Sequence, residues 1–388
     1  MGFLNGRVSY MRFRVGGESP LPIDEELLEK VSAHAIGRHG DADPTDGVHF
    51  GWSGGNHVLD MTFDLGKNLV NDALHLGLRI DADKIPGDLL KAYTQIELDA
   101  RAAQNPSGRP TKAQREEAKE AAKVRAEAEA ADGRYRRRKM HPILWDCRTN
   151  ILYAGSASNA VLDRLLPLFR DTFDRSLEPL TAGALASSIA AELGRDDALS
   201  DSAPLALFGD GESALYSSIA WAEADPTSKD YWGNEFLLWL WYTLQYEGDV
   251  LTLADGSECS VMISKTLQLD CPRGETGRDS LSNEGPTRLP EALRALQSGK
   301  LPRKAGLLIE RQGSTYDLTI QAESMAVSGA SLPKEDGVSG REAHEGRIDY
   351  LRHLTETLDL LYGSYVRRRL DPSWNGELGR IRDWLRAA

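Results

Sequence analysis

The chain begins its regular structure with Arg7–Val15 (RVSYMRFRV), a stretch in which apolar and polar side chains alternate. A period of two residues is typical of a β-strand with one buried face. Residues 24–35 then carry three apolar side chains on one stripe and an acidic first turn, which predicts a short helix. Alternation returns at residues 58–65 and 74–81. The first hundred residues therefore predict a small α+β layer with antiparallel strands.

The length and composition exclude several classes of protein. The chain has 388 residues, of which 41% are hydrophobic and 27% are charged, as in ordinary globular proteins. Its longest uninterrupted apolar run, Phe236–Tyr242, has seven residues, whereas a membrane-spanning helix needs about 20. The first residues show no signal-peptide pattern. We therefore expect a cytoplasmic protein without a membrane partner.

The rest of the sequence predicts helices and hairpins in alternation. Helices are expected at residues 89–103, 109–131, 158–175, 236–242 and 348–365. Hairpin turns are expected at residues 148–150, at Asp255-Gly256 as a type I′ turn, and at Gln312-Gly313. The predicted fold class is α+β: mixed antiparallel sheets with helices, a projecting charged helix and a β-rich C-terminal half.

We divide the chain into four regions on this basis. They are an N-terminal α+β region (1–105), a charged helix with an Arg-rich segment and a hairpin-helix (106–180), an acidic connection (181–232), and a C-terminal region of a helix plus hairpins (233–388). The acidic connection is rich in Asp, Gly, Ser and Pro, which is typical of a domain boundary.

Motifs for nucleotide, hydrolase or metal chemistry are absent from the sequence. It contains no G-x-x-x-x-G-K-[ST], no G-x-S-x-G and no H-E-x-x-H. Cys147, Cys259 and Cys271 are too few and too widely spaced for a disulfide framework, and we interpret them as small buried hydrophobic residues. Histidines and aspartates at residues 34–57 match no zinc or calcium pattern, so a solvated loop is the better interpretation. We expect no cofactor and no enzymatic activity.

Charge is strongly segregated along the chain. The net charge is −13, from 46 basic and 59 acidic residues, which for the chain as a whole argues against a polyanion-binding protein. Residues 109–139, however, hold eleven basic and six acidic residues, so this window is +5 and the remainder of the chain is −18. The positive field is therefore local.

The basic window predicts a charged helix followed by a basic cluster. Four cations recur in the helix at spacings of three and four residues and share one face: Lys112, Arg115, Lys119 and Lys123. Five more follow directly: Arg134, Arg136, Arg137, Arg138 and Lys139. A helix of 23 residues spans roughly 35 Å, about one turn of duplex DNA, so its basic face could follow a phosphate backbone.

The alternative interpretation is a solvated helix whose glutamates and lysines pair along its surface. The basic cluster disfavours it, because no acid except Asp132 lies near these cations in the sequence. The uncharged residues of the helix are almost all Ala, which gives helix propensity without bulk. We therefore expect this helix to project rather than to pack deeply.

The order of these features resembles the bacterial recombination-associated protein RdgC family. The resemblance begins with the strand Val8–Phe13, the pair Gly51-Trp52 after the first helix, and Arg79–Pro86 (RIDADKIP) at the start of a helix. It continues through the charged helix, the Arg-rich segment, a strand-turn-strand over residues 144–154 and a Leu/Phe-rich helix. It returns more weakly over residues 299–369.

Members of that family are non-enzymatic proteins that dimerise into a ring with a positively lined hole, bind duplex DNA without sequence preference and restrain recombinase filaments. For this chain the resemblance implies a nucleoid-associated homodimer that binds double-stranded DNA through the nine cations and modulates homologous recombination or replication. A recombinase is its implied protein partner. Residues 195–232, the Trp-rich helix and residues 272–300 depart from the family pattern.

Two alternatives from other functional classes stay open. One is a protein-interaction scaffold whose charged helix binds an acidic partner or forms an intermolecular helical pair. The other is a nuclease with dispersed carboxylates, since Asp and Glu are abundant and no motif excludes one.

Overall fold

The computed structural model describes residues 2–17, 23–38, 47–205, 207, 228–271 and 277–387. This part of the chain contains thirteen strands in antiparallel sheet and eleven α-helices, which confirms the α+β class. The strands are β1 (Val8–Val15), β2 (Val48–Ser53), β3 (Leu69–Val70), β4 (Ala73–Asp83), β5 (Arg136–Asp146), β6 (Ile151–Ala154), β7 (Leu177–Pro179), β8 (Val250–Thr252), β9 (Glu258–Asp270), β10 (Asp279–Asn283), β11 (Leu301–Arg311), β12 (Ser314–Gln321) and β13 (Val327–Ser331). The helices are α1 (Glu25–Ala33), α2 (Leu65–Asn68), α3 (Gly87–Ala102), α4 (Lys112–Ala130), α5 (Asn159–Phe173), α6 (Ala182–Leu193), α7 (Asp196–Ser200), α8 (Tyr231–Tyr246), α9 (Pro290–Gln297), α10 (Gly340–Leu370) and α11 (Trp374–Ala387).

The chain divides into two compact units. The large unit consists of Met1–Asp24, Asp64–His75 and Pro142–Ala388, and the small unit of Glu25–Phe63 and Leu76–His141. These boundaries differ from the four consecutive regions expected from the sequence. Strands β4 and β5 each belong in part to both units, so the polypeptide changes unit inside regular structure.

The large unit is built on an antiparallel sheet in the order β10-β9-β11-β12-β13-β1-β6-β5, to which β5 contributes its last residues. β8 pairs with β9, and β7 pairs with β1. In the small unit, β2 and the first half of β5 lie on either side of β4. The β-rich C-terminal half is therefore as predicted.

Strand β1 forms at the predicted residues, but its two faces are more buried than alternation predicts. Ser9 and Arg14 are exposed, whereas Arg12 is only 2% exposed. The Arg12 guanidinium donates two hydrogen bonds to the Asp359 carboxylate, at 2.7 and 2.8 Å. A charged residue at a polar position of the pattern is thus buried, because a second element supplies its counter-charge.

The predicted strand at residues 58–65 is wrong. Residues 58–64 form no strand, and β2 lies instead inside residues 34–57, which were predicted as a solvated loop. The Asp60 carboxylate accepts the backbone N–H groups of Asn56 and Thr62. Such local side-chain to backbone bonds give the backbone an alternative to strand pairing.

Helix α8 is buried all round, as its uninterrupted apolar run predicts. Every residue from Tyr231 to Thr243 is buried, and the helix packs on β11, α6 and α10. Gly233 allows this packing, since a Cβ at that position would lie 1.9 Å from the carbonyl oxygen of Ala322.

The type I′ turn falls at the second predicted hairpin rather than the first. Gln312 and Gly313 both have positive φ, 49° and 76°, as a type I′ turn requires. In the first hairpin only Gly256 has positive φ. The Asp255 carboxylate there accepts the backbone N–H of Ser257 at 3.0 Å, which stabilises a different turn.

A matched pair of neighbouring leucines tests which face of α5 is buried. Leu165 is fully buried, whereas Leu166 is 38% exposed. We expect Leu165→Ala to lower the free energy of unfolding by roughly 2–5 kcal/mol through lost burial and a cavity, and Leu166→Ala to change it by less than about 0.5 kcal/mol. Urea titrations followed by tryptophan fluorescence measure both. Equal losses for the two variants would contradict the orientation of α5.

Candidate nucleic-acid interface

Helices α3 and α4 form a helical hairpin inserted between β4 and β5 of the small unit. The backbone N–H of Lys84 donates to the Tyr135 carbonyl oxygen at 3.3 Å and joins the two ends of the insertion. Helix α4 begins later than predicted: its N-cap is Thr111, which forms a capping box with Gln114. Pro110 therefore precedes the cap instead of opening the helix. With 19 residues, α4 is about 28 Å long rather than 35 Å.

The alanines of α4 form a packing face, contrary to the expectation of a projecting helix without an apolar stripe. Ala118, Ala122, Ala126 and Ala130 recur every four residues and are buried, and α4 packs on α3. Because alanine side chains are small, they let two helix backbones approach closely, so a stripe without bulk still buries surface. The basic residues beside this stripe remain at the surface.

The four predicted cations of α4 fall into two classes. Lys112 and Arg115 are exposed and have no ion-pair partner among the described residues. Lys119 lies 2.9 Å from the Glu116 carboxylate and Lys123 3.8 Å from that of Glu127, and these side chains are all more than half exposed. Exposed pairs of this kind contribute little to stability. They nevertheless reduce the positive potential along the middle of the helix.

Arg134 is bound to carboxylates on both sides. Its Nη2 lies 2.6 Å from Asp132 Oδ2 and its Nη1 2.8 Å from Glu129 Oε1. The hydrogen bonds from Arg134 hold the pKa of Asp132 below its ordinary value. Glu129 also accepts the Tyr93 hydroxyl, and the Arg125 guanidinium lies over the Tyr93 ring at 4.3 Å. Arg134 is therefore part of the junction between α4 and β5.

The basic cluster belongs to β5, and strand alternation divides it between two faces. On one face, Arg136 Nε lies 3.2 Å from Asp83 Oδ1, and Arg138 Nε lies 3.6 Å from Asp81 Oδ2, both carboxylates belonging to β4. The expectation that Asp132 is the only balancing acid is therefore wrong. These pairs could not be predicted from the sequence, because the α3–α4 hairpin separates β4 from β5 along the chain.

Arg137 and Lys139 lie on the opposite face of β5. Both side chains are exposed, and within the described part of the chain no carboxylate lies within 4.0 Å of either. Two cations at positions i and i+2 of a strand are separated by about 6.7 Å along it. They form one of two groups of positive charge without a carboxylate partner among the nine predicted residues, within the described part of the chain.

Among the residues that the structure describes, four of the nine predicted cations have no carboxylate within 4.0 Å, and they form two separate groups. Lys112 and Arg115 lie at the start of α4, which we call the helix-start cations. Arg137 and Lys139 lie on β5, after the end of that helix, and we call them the strand cations. The two groups lie on different elements, α4 and β5. Arg109, which is not among the nine predicted residues, is also exposed and lies just before α4.

The sequence also contains a loop with histidines and aspartates and three cysteines. His39, Asp41, Asp43 and Asp46 lie outside the described residues, and among those described no group of three or more His, Cys, Asp and Glu side chains could hold a metal ion. Cys259 is buried as predicted, and burial raises the pKa of its thiol to about 11. Cys147 and Cys271 are only half-buried, which corrects the prediction for them.

Two further findings concern membrane-spanning helices and similarity to known proteins. In the described parts of the chain, no helix combines the length and apolar composition needed to cross a bilayer. No protein-family model matches the sequence, and no curated protein matches it either. The resemblance drawn from the order of motifs therefore stays a prediction.

Proposed function

We propose that this protein binds duplex DNA without sequence preference, through the cations of the small unit that have no carboxylate partner. One observation carries the proposal: the exposed strand cations Arg137 and Lys139 occupy the face of β5 opposite the neutralised pairs. Like charges held side by side without counter-charge raise the local potential. A phosphate backbone supplies that counter-charge, and binding it releases condensed cations from the DNA.

The chemistry of these side chains accounts for binding that ignores base sequence. Lysine and arginine contacts to phosphates fix the position of a protein on the duplex but read no bases. The helix-start cations Lys112 and Arg115 act as a second contact group.

The quaternary and cellular parts of the proposal rest on the family resemblance. They are a ring-like homodimer and the restraint of recombinase filaments during recombination or replication. If two subunits close around DNA, light scattering of the protein without DNA should give twice 42.7 kDa. A single 42.7 kDa species at micromolar concentration would contradict the ring while leaving DNA binding to its own test.

A protein-interaction scaffold is the second candidate function, and a specific observation favours it. Val124 on α4 is 57% exposed and Ile96 on α3 is 51% exposed, so the helical hairpin offers large apolar side chains to a partner. Apolar contacts respond weakly to salt, in contrast to phosphate contacts. Salt dependence therefore separates DNA binding from an apolar helical pair, whereas a scaffold for an acidic partner is separated from it by whether duplex DNA binds at low salt.

The decisive experiment is a filter-binding titration of the full chain on random-sequence duplexes at several salt concentrations. Four phosphate contacts predict that the logarithm of the affinity falls with the logarithm of the salt concentration with a slope of about −3.6. Duplexes of different sequence should give the same curve. A flat salt response, or no binding at low salt, would contradict DNA binding and favour the scaffold. Cleavage of the duplex in the presence of Mg²⁺ would instead favour the nuclease.

A further inference from the structure

A pocket of about 390 Å³ lies within the large unit and is lined by α6, α10 and the β5–β6 hairpin. Three apolar side chains of its wall pack against the core but are only half-buried: Ile151, Ile189 and Leu360. The buried rings of Tyr153 and Tyr362 also line it. Concave, mostly apolar sites of this size are typical binding sites for small molecules.

Gly363 leaves the pocket open in the middle of α10. Glycine disfavours a helix relative to alanine, so a glycine at a buried position inside a long helix needs a reason. Close packing does not supply it, because a Cβ at this position would lie 3.7 Å from Ile189 Cδ1, an ordinary contact. At Gly233, in contrast, a Cβ would meet the Ala322 carbonyl oxygen. The space that Gly363 leaves in the pocket accounts for this glycine.

Two carboxylates of the pocket wall are bound to buried arginines but remain accessible. Asp359 is 37% exposed and lies 2.7 Å from Arg12, and Glu356 is 61% exposed and lies 3.1 Å from Arg311. Arg311 also lies 2.6 Å from Asp255. One guanidinium therefore serves two carboxylates at this end of the pocket.

The two arginines of the pocket wall do not reverse this balance. Arg352 pairs with Asp146 at 2.8 Å and with Asp349 at 2.9 Å, so it too is shared between two carboxylates. Arg367 lines the pocket together with Glu192, and the charges of these two exposed side chains are opposite.

One further cation lies next to the pocket. Arg14 of β1 donates to the Ser188 hydroxyl of the pocket wall at 3.1 Å, and the register of β1 with β7 places it opposite Glu178. Opposite charges at facing positions of two strands compensate each other. Among the described residues, the three arginines bound to carboxylates here therefore face five carboxylates, and the surplus charge at the pocket is negative.

We infer that this pocket binds a small organic ammonium ion, with its apolar body against the pocket wall and its ammonium group against the carboxylates of Glu356 and Asp359. A carboxylate has about four acceptor sites, so Asp359 can bind a ligand while it holds Arg12. Hydrogen bonds between an ammonium and a carboxylate are charge-assisted and strong. The site lies in the large unit and does not depend on the DNA-binding cations of the small unit.

The test measures binding of phenethylamine to the full chain by calorimetry near neutral pH, where this amine is protonated. Phenethyl alcohol and hydrocinnamate present the same aromatic body with a neutral and an anionic group. We expect saturable binding of the amine, about tenfold weaker binding of the alcohol, and no binding of the anion. Equal affinities for the amine and the alcohol, or no saturable binding of the amine, would overturn the inference.

Gly363→Leu tests the location of the site, because it places a side chain in the pocket. The matched control is Gly376→Leu on α11, since Gly376 is exposed, lies outside the pocket and has no atom within 4 Å of a Cβ. Both changes replace a helical glycine by the same residue. We expect the first to weaken amine binding at least about tenfold and the second to leave it unchanged. Thermal unfolding establishes that both variants are folded, and unchanged binding in a folded Gly363→Leu variant would contradict the site.

Glu356→Gln tests the ammonium contact without filling the pocket. Arg311 keeps Asp255 and the Thr357 hydroxyl as partners in this variant, so we expect it to fold. Binding of phenethylamine should weaken about fivefold, whereas binding of phenethyl alcohol should not change. An unchanged affinity for the amine would show that this carboxylate does not bind the ligand and would overturn the inference, whatever the fate of the Gly363→Leu variant.

Discussion

Replacing Arg137 and Lys139 together by Ala should weaken binding of random duplex DNA on the order of 50-fold at about 0.1 M salt. Each lost phosphate contact removes about 0.9 from the slope of log affinity against log salt, so the slope should fall by about 1.8. Both side chains are exposed and unpaired in the described structure, so stability should change by less than about 0.5 kcal/mol per residue. Filter binding across a salt series measures the first effect and a urea titration the second.

The matched control is the double variant Arg136→Ala with Arg138→Ala. It removes the same charge from the same strand, but from the face where Arg136 pairs with Asp83 and Arg138 lies 3.6 Å from Asp81, a carboxylate that also binds Arg79. We expect an unchanged salt slope, because no phosphate contact is lost. Should both double variants reduce the slope equally, the two faces of β5 would be equivalent and the strand cations would not be the site.

Replacing Glu235 by Ala should lower the free energy of unfolding of the large unit by roughly 3–5 kcal/mol. The Glu235 carboxylate is buried and accepts the Tyr365 hydroxyl at 2.8 Å, the Leu205 backbone N–H at 2.8 Å and Arg369 Nε at 3.3 Å. Arg369 is itself only 14% exposed. Truncation leaves this guanidinium without a counter-charge, whereas Glu235→Gln retains an acceptor of the same shape. Urea titration followed by tryptophan fluorescence measures the loss.

The pH dependence of the free energy of unfolding, compared between the unmodified chain and the Glu235→Gln variant, is a second and independent test of the Glu235 carboxylate. Burial raises the pKa of Glu235 above its ordinary value of 4.5, and the attraction of Arg369 only partly opposes the shift. The folded protein therefore binds the proton more tightly than the unfolded chain. The stabilisation that comes from the raised pKa of Glu235 is complete below the pKa of this group in the unfolded chain. It is lost as the pH rises through the pKa of the same group in the folded protein.

We therefore expect the Gln variant to gain stability relative to the unmodified chain as the pH rises from about 4, by at most about 1.4 kcal/mol per pH unit. Comparing the two proteins at each pH cancels the titration of all other groups. A difference that does not vary with pH would show that the carboxylate keeps the same pKa in both states.

Local patterns predicted much of the fold. Period-two alternation predicted the strand at Arg7–Val15, and an uninterrupted apolar run predicted the buried helix over Phe236–Tyr242. Neither pattern needs knowledge of distant contacts. The spacing of apolar residues over 158–175 likewise predicted helix α5, Asn159–Phe173. The predicted strand at residues 58–65 failed because Asp60 bonds to its own neighbours, and alternation carries no signal for such bonds.

The candidate site was less predictable, since ion pairing is decided by partners remote in sequence. Arg136 and Arg138 find their carboxylates on β4, more than fifty residues earlier. Arg137 and Lys139 differ from them only in the face of the strand.

The pairing of β1 has a consequence for how the chain folds as it is synthesised. β1 pairs with β6 and with β13, and the register places Val8 opposite Ala330. The ribosome releases residues 8–15 long before residues 327–331, so one edge of this strand stays without its native partner during most of translation. Pairing across such a sequence distance makes folding slow. Unpaired strand edges promote aggregation, so we expect nascent chains that end before β13 to depend on chaperones, while the α3–α4 hairpin, whose contacts are local, forms early.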